Sequence, residues 1–376
     1  MSDIPNTFCP AKWDELSLNL TNNYVYSCCK AKPVKFLNKK DIMSALDTQK
    51  HNLLTGIKDT SCDYCWLVED GGHKSLRYDY LDRFDNSLIN GYINNTVMPN
   101  SLEVNIGNEC NFQCTYCNPK FSSQWENDVK QKEYKVHSDK FFYALNKEKN
   151  NKMIDESIAW AQEQNPKMLR IIGGEPLLSK NFFKLVNNIN SESLTLTTNL
   201  SCETSTIDKL FKLSKNYKKI HLTISIDSTK KIAEFTRYGM DYEKLLNNIN
   251  YVLTNLPKNV DVRFISAITS ITIRDFNNIV DVIDNFYQKN PNQIDWLLIY
   301  VVDPKIFTLN TLHEKYKPDI LETINKIKDR KYIKGLTALE GAIKQSKFNK
   351  TLYGQMKHFL EEFSTRKKVD IPVILE

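Results

Sequence analysis

The 376-residue chain has no run of eighteen apolar residues, which excludes an ordinary membrane-spanning helix. Its first residues, Met1 to Pro5, lack the basic and apolar regions of a secretory signal, so the expectation is a cytoplasmic protein with no membrane partner. No long block of one charge sign occurs. The 51 basic and 45 acidic residues leave a net charge of only +6, without the dense basic stripe of a dedicated DNA-binding protein. The sequence also lacks G-x4-G-K-[ST], H-E-x-x-H and G-x-S-x-G, so phosphate-loop, zincin and serine-hydrolase chemistry have no anchor. The six histidines show no mutual metal-ligand spacing.

What is present is a folded chain. Hydrophobic residues make up 41% of it, enough for a sizeable core, and the length suggests two domains. Nine cysteines stand out, eight of them within the first 117 residues. A cytosolic chain keeps thiols reduced, so clustered cysteines point to metal or catalysis before disulfides. Cys202 stands apart and reads as a small buried hydrophobe.

Residues 1–95 read as irregular and poor in core, apart from a helix near 41–54; a metal staple would help such a segment fold. From residue 101 short apolar runs alternate with amphipathic ones. Strands are expected at 102–106, 168–172, 194–198, 220–226, 260–267 and 294–302. Helices are expected between them, at 152–164, 181–190, 206–217, 242–255 and 274–288. Such alternation predicts a parallel sheet with helices outside. On pattern alone, a partial barrel and an open doubly wound sheet both remain open. An insertion at 121–150 carries Trp125, Phe141, Phe142 and Tyr143, read as packing residues, with stacking on a planar substrate as the alternative. Residues 311–376 read as a helical cap.

Cys110, Cys114 and Cys117 follow the first of these strands with the spacing C-x3-C-x2-C. Three thiolates within eight residues suit an iron–sulfur cluster or zinc. A structural zinc wants a fourth ligand nearby, and none is obvious. On a four-iron cluster, three cysteines leave one iron open to a small molecule. One βα unit later, the second strand ends in Gly173, Gly174, Glu175 and Pro176. The glycines allow close backbone approach, and Glu175 can accept hydrogen bonds from an ammonium group.

On these residues the chain resembles the radical S-adenosylmethionine (radical SAM) superfamily from about residue 102 to 302. The resemblance implies a six-stranded partial (βα)6 TIM barrel, an α/β fold. It implies a [4Fe-4S] cluster on Cys110, Cys114 and Cys117, with Tyr116 near the adenine of S-adenosylmethionine. Gly173, Gly174, Glu175 and Pro176 would meet the methionine amino group. Thr198 and Asn199 end the third strand where the family often has Thr-Asn-Gly, with Leu200 in place of the glycine. Ser225 and Asp227 resemble a Ser-x-Asp strand end that reaches the ribose or the methionine carboxylate. Arg237 resembles an arginine that pairs with that carboxylate. The implied chemistry is one-electron cleavage of S-adenosylmethionine to a 5′-deoxyadenosyl radical, which abstracts hydrogen from a substrate. A flavodoxin, ferredoxin or reductase would supply the electron.

The remaining cysteines resemble a twitch (SPASM-like) auxiliary-cluster domain of phage and bacterial radical SAM proteins, here placed before the barrel. The supporting features are Phe8-Cys9-Pro10, the Cys28 and Cys29 pair, and Cys62-x2-Cys65 followed by Glu69, Gly72, Ser75 and Arg77. The segment from Phe121 to Trp125 also fits. The expected ligands of a second iron–sulfur cluster are Cys9, Cys28, Cys62 and Cys65, with Cys29 as the substitute for Cys28 and zinc as the alternative metal. The resulting organisation is an auxiliary domain at 1–95, a barrel at 96–310 and the cap at 311–376. The expected substrate is a peptide or protein, with a nucleobase or nucleotide as the alternative. A non-catalytic iron–sulfur scaffold is the third reading.

Overall fold

The computed structural model describes residues 4–20, 23–36, 38, 40–94, 99–135 and 151–373. Twelve strands run through the described residues: β1 (Glu15–Asn19), β2 (Tyr24–Tyr26), β3 (Val34–Lys35), β4 (Ser101–Asn105), β5 (Gln113–Cys114), β6 (Met168–Ile172), β7 (Ser193–Thr198), β8 (Lys219–Ser225), β9 (Arg237–Tyr238), β10 (Val260–Ile268), β11 (Ile294–Tyr300) and β12 (Ile333–Lys334). All six strands expected from sequence are among them, as β4, β6, β7, β8, β10 and β11. The fold is α/β with a large, mostly parallel sheet. The chain divides into two compact units.

The first unit comprises Met1–Gly107, Asn146–Gly173 and Ser179–Thr195. Here β4 pairs in parallel with β6, setting Leu102 beside Leu169 and Val104 beside Ile171. These four side chains are buried, as alternation along a strand requires. The expectation of an irregular segment at 1–95 is corrected. β1 pairs in parallel with β4, Leu16 beside Leu102 and Leu18 beside Val104. β2 and β3 then continue the sheet in antiparallel fashion. The segment also has its own aromatic core, in which Trp13 stacks on Tyr92 at 5.6 Å beside Phe8. The helix expected near 41–54 is broken into Asp41–Ser44 and Asp47–Leu54.

The second unit comprises Asn108–Leu145, Gly174–Leu178 and Leu196–Glu376. β8, β10, β11 and β12 pair in parallel in that order. Parallel neighbours need crossovers, and the helices Tyr242–Thr254 and Phe276–Lys289 supply them. Asp241 starts the first of these by accepting from the Lys244 N–H. The C-terminal helix Lys350–Lys367 buries Met356, Phe359, Leu360 and Phe363 against Trp125, Tyr134 and Phe307. A two-residue ribbon, β5 against β9, sets Cys114 opposite Arg237. No helix among the described residues is long and apolar enough to cross a membrane.

Candidate active site

The three-cysteine loop is held from behind by the helix Ser123–Gln131. Ser122 caps this helix and donates its hydroxyl to the Phe112 carbonyl at 2.7 Å. The Ser123 hydroxyl accepts from the Cys110 N–H at 3.2 Å and lies 3.1 Å from the Cys110 carbonyl. Trp125 is buried, and its indole N–H donates to the Cys114 carbonyl at 2.7 Å. Phe141, Phe142 and Tyr143 lie outside the described residues. Asn108 ties both ends of the loop, donating to the Pro119 carbonyl at 2.8 Å and to Glu126 at 3.0 Å. The loop is therefore fixed by side chains whose own positions a helix determines.

Cys114 is buried, and Cys110 and Cys117 are half-buried. Burial, with Cys114 beside it, pushes the Cys110 thiol up to about 12. Burial also raises Cys114 and Cys117. Thiols so placed stay protonated until a metal displaces the proton.

Gly174 fits where it does because a Cβ there would run into the Glu109 carbonyl. Gly173 has φ +151°, and a Cβ on it would lie 2.6 Å from the Gly107 carbonyl oxygen. Pro176 opens the short turn Pro176–Leu178. The Glu175 carboxylate is buried and accepts from the Thr198 hydroxyl at 2.6 Å, the Asn199 N–H at 2.5 Å and the Leu177 N–H at 3.1 Å. Burial raises its pKa, and those three donors oppose the rise. A carboxylate has about four acceptor sites, so one remains for a further donor. Asn199 also donates to Asn111 at 2.9 Å, which binds the strand end to the cysteine loop.

Thr198 and Asn199 end β7, and Leu200 follows with φ +52°. The leucine thus adopts the left-handed turn that a glycine would take. Its N–H donates to the Thr198 hydroxyl at 2.9 Å, and its carbonyl accepts from Asn248 at 2.8 Å.

Asp227 and Arg237 meet directly. The Arg237 guanidinium donates to Asp227 Oδ2 at 2.9 Å and to the Tyr116 hydroxyl at 3.0 Å. The Tyr116 hydroxyl donates to the same Oδ2. Asp227 Oδ1 accepts from the Ala267 N–H at 2.8 Å. Asp227 does not cap the next helix, whose N-cap is Thr229, and Arg237 is no surface cation at 7% exposure. Ser225 is half-buried at the end of β8. Within this unit the structure brings Tyr116 to Asp227 and Arg237, Glu175 to Thr198 and Asn199, and Cys114 opposite Arg237. Sequence reading singled out the segment holding Ser122 and Ser123 by resemblance but gave them no role, and it missed Asn108 and Asn111 as positioning residues. The two asparagines are ordinary turn residues and carry no signal of their own.

The expected cofactors fit this site on three observations. The donor set is three soft thiols spaced along one loop, as a cluster corner needs. Arg237 Nε is buried and unpartnered, so a donor is left for an anionic group. Glu175 keeps an acceptor site for an ammonium.

In the first unit, Cys9, Cys28, Cys62 and Cys65 line one pocket. Cys29 is exposed and is not among the residues lining it. Cys62 closes the turn Thr60–Cys62, and Cys65 lies on the helix Asp63–Asp70. Glu69 on that helix pairs with Arg77 at 2.7 Å and accepts from Ser75 at 2.5 Å. Arg77 also donates to the Phe8 carbonyl at 3.0 Å, next to Cys9. Among the described residues, no three His, Cys, Asp or Glu side chains converge closely enough to hold a single metal ion.

Residues 104–283 match the family model described as the radical SAM superfamily. GTP 3′,8-cyclase of Clostridium perfringens is 30% identical over 239 residues, which are 60% of this chain and 62% of that protein. The probable GTP 3′,8-cyclase of Methanocaldococcus jannaschii is 27% identical, over 48% of this chain and 54% of its own length. The chain thus spans less than two thirds of these curated relatives. Among solved structures, anSMEcpe with bound AdoMet aligns at TM-score 0.42 and 17% identity, over 62% of this chain and 64% of that one. Streptococcus suis SuiB bound to S-adenosylmethionine aligns at TM-score 0.38 and 14% identity, over 83% and 68%.

Proposed function

We propose that this chain, an enzyme of the radical SAM superfamily, generates a 5′-deoxyadenosyl radical on a partial barrel and uses it on a peptide or protein. The observation that carries the reading is the assembly of one site within one unit: three thiols on a braced loop, a buried carboxylate with a vacant acceptor position, and a buried guanidinium with a vacant donor. When bound, a [4Fe-4S] cluster on Cys110, Cys114 and Cys117 supplies the electron that cleaves S-adenosylmethionine. The rest of the work belongs to the chain. Glu175 accepts from the methionine ammonium, and Gly174 lets the backbone approach. Arg237 binds the carboxylate through the donor that Asp227 leaves unused, because Asp227 and Tyr116 occupy only Nη1. A flavodoxin, ferredoxin or reductase delivers the electron.

The N-terminal cavity is the reading's second metal site, an auxiliary iron–sulfur cluster on Cys9, Cys28, Cys62 and Cys65 in a twitch-like domain at 1–95. Zinc on the same four thiols is the alternative, since zinc and iron share this ligand type. The barrel at 96–310 and a helical cap at 311–376 complete the proposed organisation. A nucleotide substrate is the second reading, favoured by the name of the curated relatives, GTP 3′,8-cyclase.

The test is formation of 5′-deoxyadenosine by the anaerobically reconstituted chain with S-adenosylmethionine and a strong reductant. Product is expected from the parent and none from Cys110→Ala. Equal turnover in the variant would remove this loop from the reaction. Substrate class is tested by the increase in product with added peptides against added nucleoside triphosphates.

A further inference from the structure

Within the second unit, β11 ends with one side of its backbone unpaired. On its other side it pairs with β10, Tyr300 opposite Ile268. There the Val301 N–H donates to the Ile268 carbonyl at 2.8 Å. Successive residues of a parallel strand turn their backbone groups to opposite sides, so Tyr300 directs its own N–H and C=O away from β10. On that far side β12 reaches only Trp296 and Leu297. It stops because Gly335, at φ +83°, turns the chain into the helix Leu336–Gln345. Gly335 packs on the Leu298 carbonyl, and a Cβ on it would lie 2.4 Å from that oxygen. Beyond this point no described residue answers the N–H or C=O of Tyr300.

The open stretch is apolar throughout: Leu298, Ile299, Tyr300, Val301 and Val302. Ile299 is 48% exposed, Tyr300 37% and Val302 70%. Folded proteins commonly shield such an edge with charge or a covering element, and a bare apolar edge is a template for another chain. This edge also continues the face that carries the candidate clamp. Ser225 stands beside Ile265, and Ile265 beside Leu297. One step further along, Ala267 stands beside Ile299 and donates its N–H to Asp227. By alternation Ser225, Ile265, Leu297 and Ile299 share one face. The opposite face is closed, with Ile224, Phe264, Trp296 and Leu298 buried. A strand added outside β11 would set alternate side chains next to Ile299, on the face of Ser225.

We propose that the edge of β11 at 298–302 binds an extended segment of a peptide substrate as an added strand. The peptide backbone answers the N–H and C=O of Tyr300, and its alternate side chains lie beside Ile299 and Tyr300. A nucleotide has no row of alternating amide donors and acceptors to offer this edge. The inference rests on the peptide reading above and narrows it to substrates that bind in extended form.

The test equilibrates the full reconstituted chain with a pool of short blocked peptides of random sequence and takes the tightest retained peptide as the probe. That peptide is expected to slow amide hydrogen exchange at 298–302, and GTP is not. Tyr300→Pro keeps the pairing with β10 but lacks the N–H on the open side, where an edge tolerates proline. It is expected to bind the peptide about fivefold more weakly than Tyr300→Ala, the effect of one hydrogen bond. Equal affinities of the two variants, or protection only outside 298–302, overturn the inference. If Tyr300→Pro does not fold, copies of the peptide methylated in turn on each amide nitrogen decide: weaker binding at alternate positions supports the inference, and unchanged binding overturns it. A dimer of the parent that Tyr300→Pro breaks assigns the edge to a second copy and also overturns it. Failure of the peptide reading looks different. No retained peptide, with 5′-deoxyadenosine raised by GTP alone, removes the reading and the inference together. Peptides that raise 5′-deoxyadenosine while Tyr300→Pro matches Tyr300→Ala keep the reading and overturn the inference.

Discussion

Asp227 accepts three hydrogen bonds while 1% exposed, and one of its donors is a guanidinium that is itself buried. Removing one partner of such a pair leaves an uncompensated buried charge, at a cost of about 3–5 kcal/mol. Asp227→Ala should therefore destabilise the metal-free chain by about that amount in urea denaturation, because Arg237 loses its counter-ion. A loss near zero would show that Arg237 finds another anion. Sequence reading singled out both residues but aimed each at a ligand. Their mutual pairing was not legible, because it depends on β9 folding back against β5. Leu200 shows the opposite case. Its place in a glycine position was visible in the sequence, and it put the turn geometry in doubt. The structure keeps the turn and strains the leucine, which is fully buried and held through Thr198 and Asn248. A left-handed residue of this kind costs about 1–2 kcal/mol, which burial of the side chain offsets.

The strands that sequence revealed are those rich in branched and apolar residues, β4, β6, β7, β8, β10 and β11. β1 escaped because only Leu16 and Leu18 mark its alternation, and its partner β4 lies more than eighty residues on. Pairing at that distance leaves no local trace. The C-terminal helix Lys350–Lys367 is legible from its period, but its role is not. It seats Phe359 and Phe363 against Trp125, whose indole N–H holds the Cys114 carbonyl. Phe359 is fully buried among Trp125, Tyr134, Phe307 and Phe363. Phe359→Ala should thus cost about 3–5 kcal/mol of stability, the usual range for a buried aromatic. It should also weaken iron retention at Cys110, Cys114 and Cys117, because Trp125 would lose its backing. A variant equally destabilised but with full iron would confine the helix to packing.

At the scale of the molecule, each set of thiols lies wholly within one compact unit: Cys9, Cys28, Cys62 and Cys65 in the first, Cys110, Cys114 and Cys117 in the second. Sites that share no ligand load additively, as distant and independent changes generally do. With two four-iron clusters, Cys62→Ala should halve the iron bound per chain and leave 5′-deoxyadenosine formation dependent on Cys110. Replacing the Cys110 loop cysteines should remove the other half and abolish turnover, while the N-terminal cluster remains. Iron and zinc counts on the same preparations separate the alternatives. Zinc lost from Cys62→Ala with iron unchanged would make the N-terminal site a metal staple for its unit. Iron lost from both sites in either variant would mean that the two sets are coupled, so that one metal is needed to fold the ligands of the other.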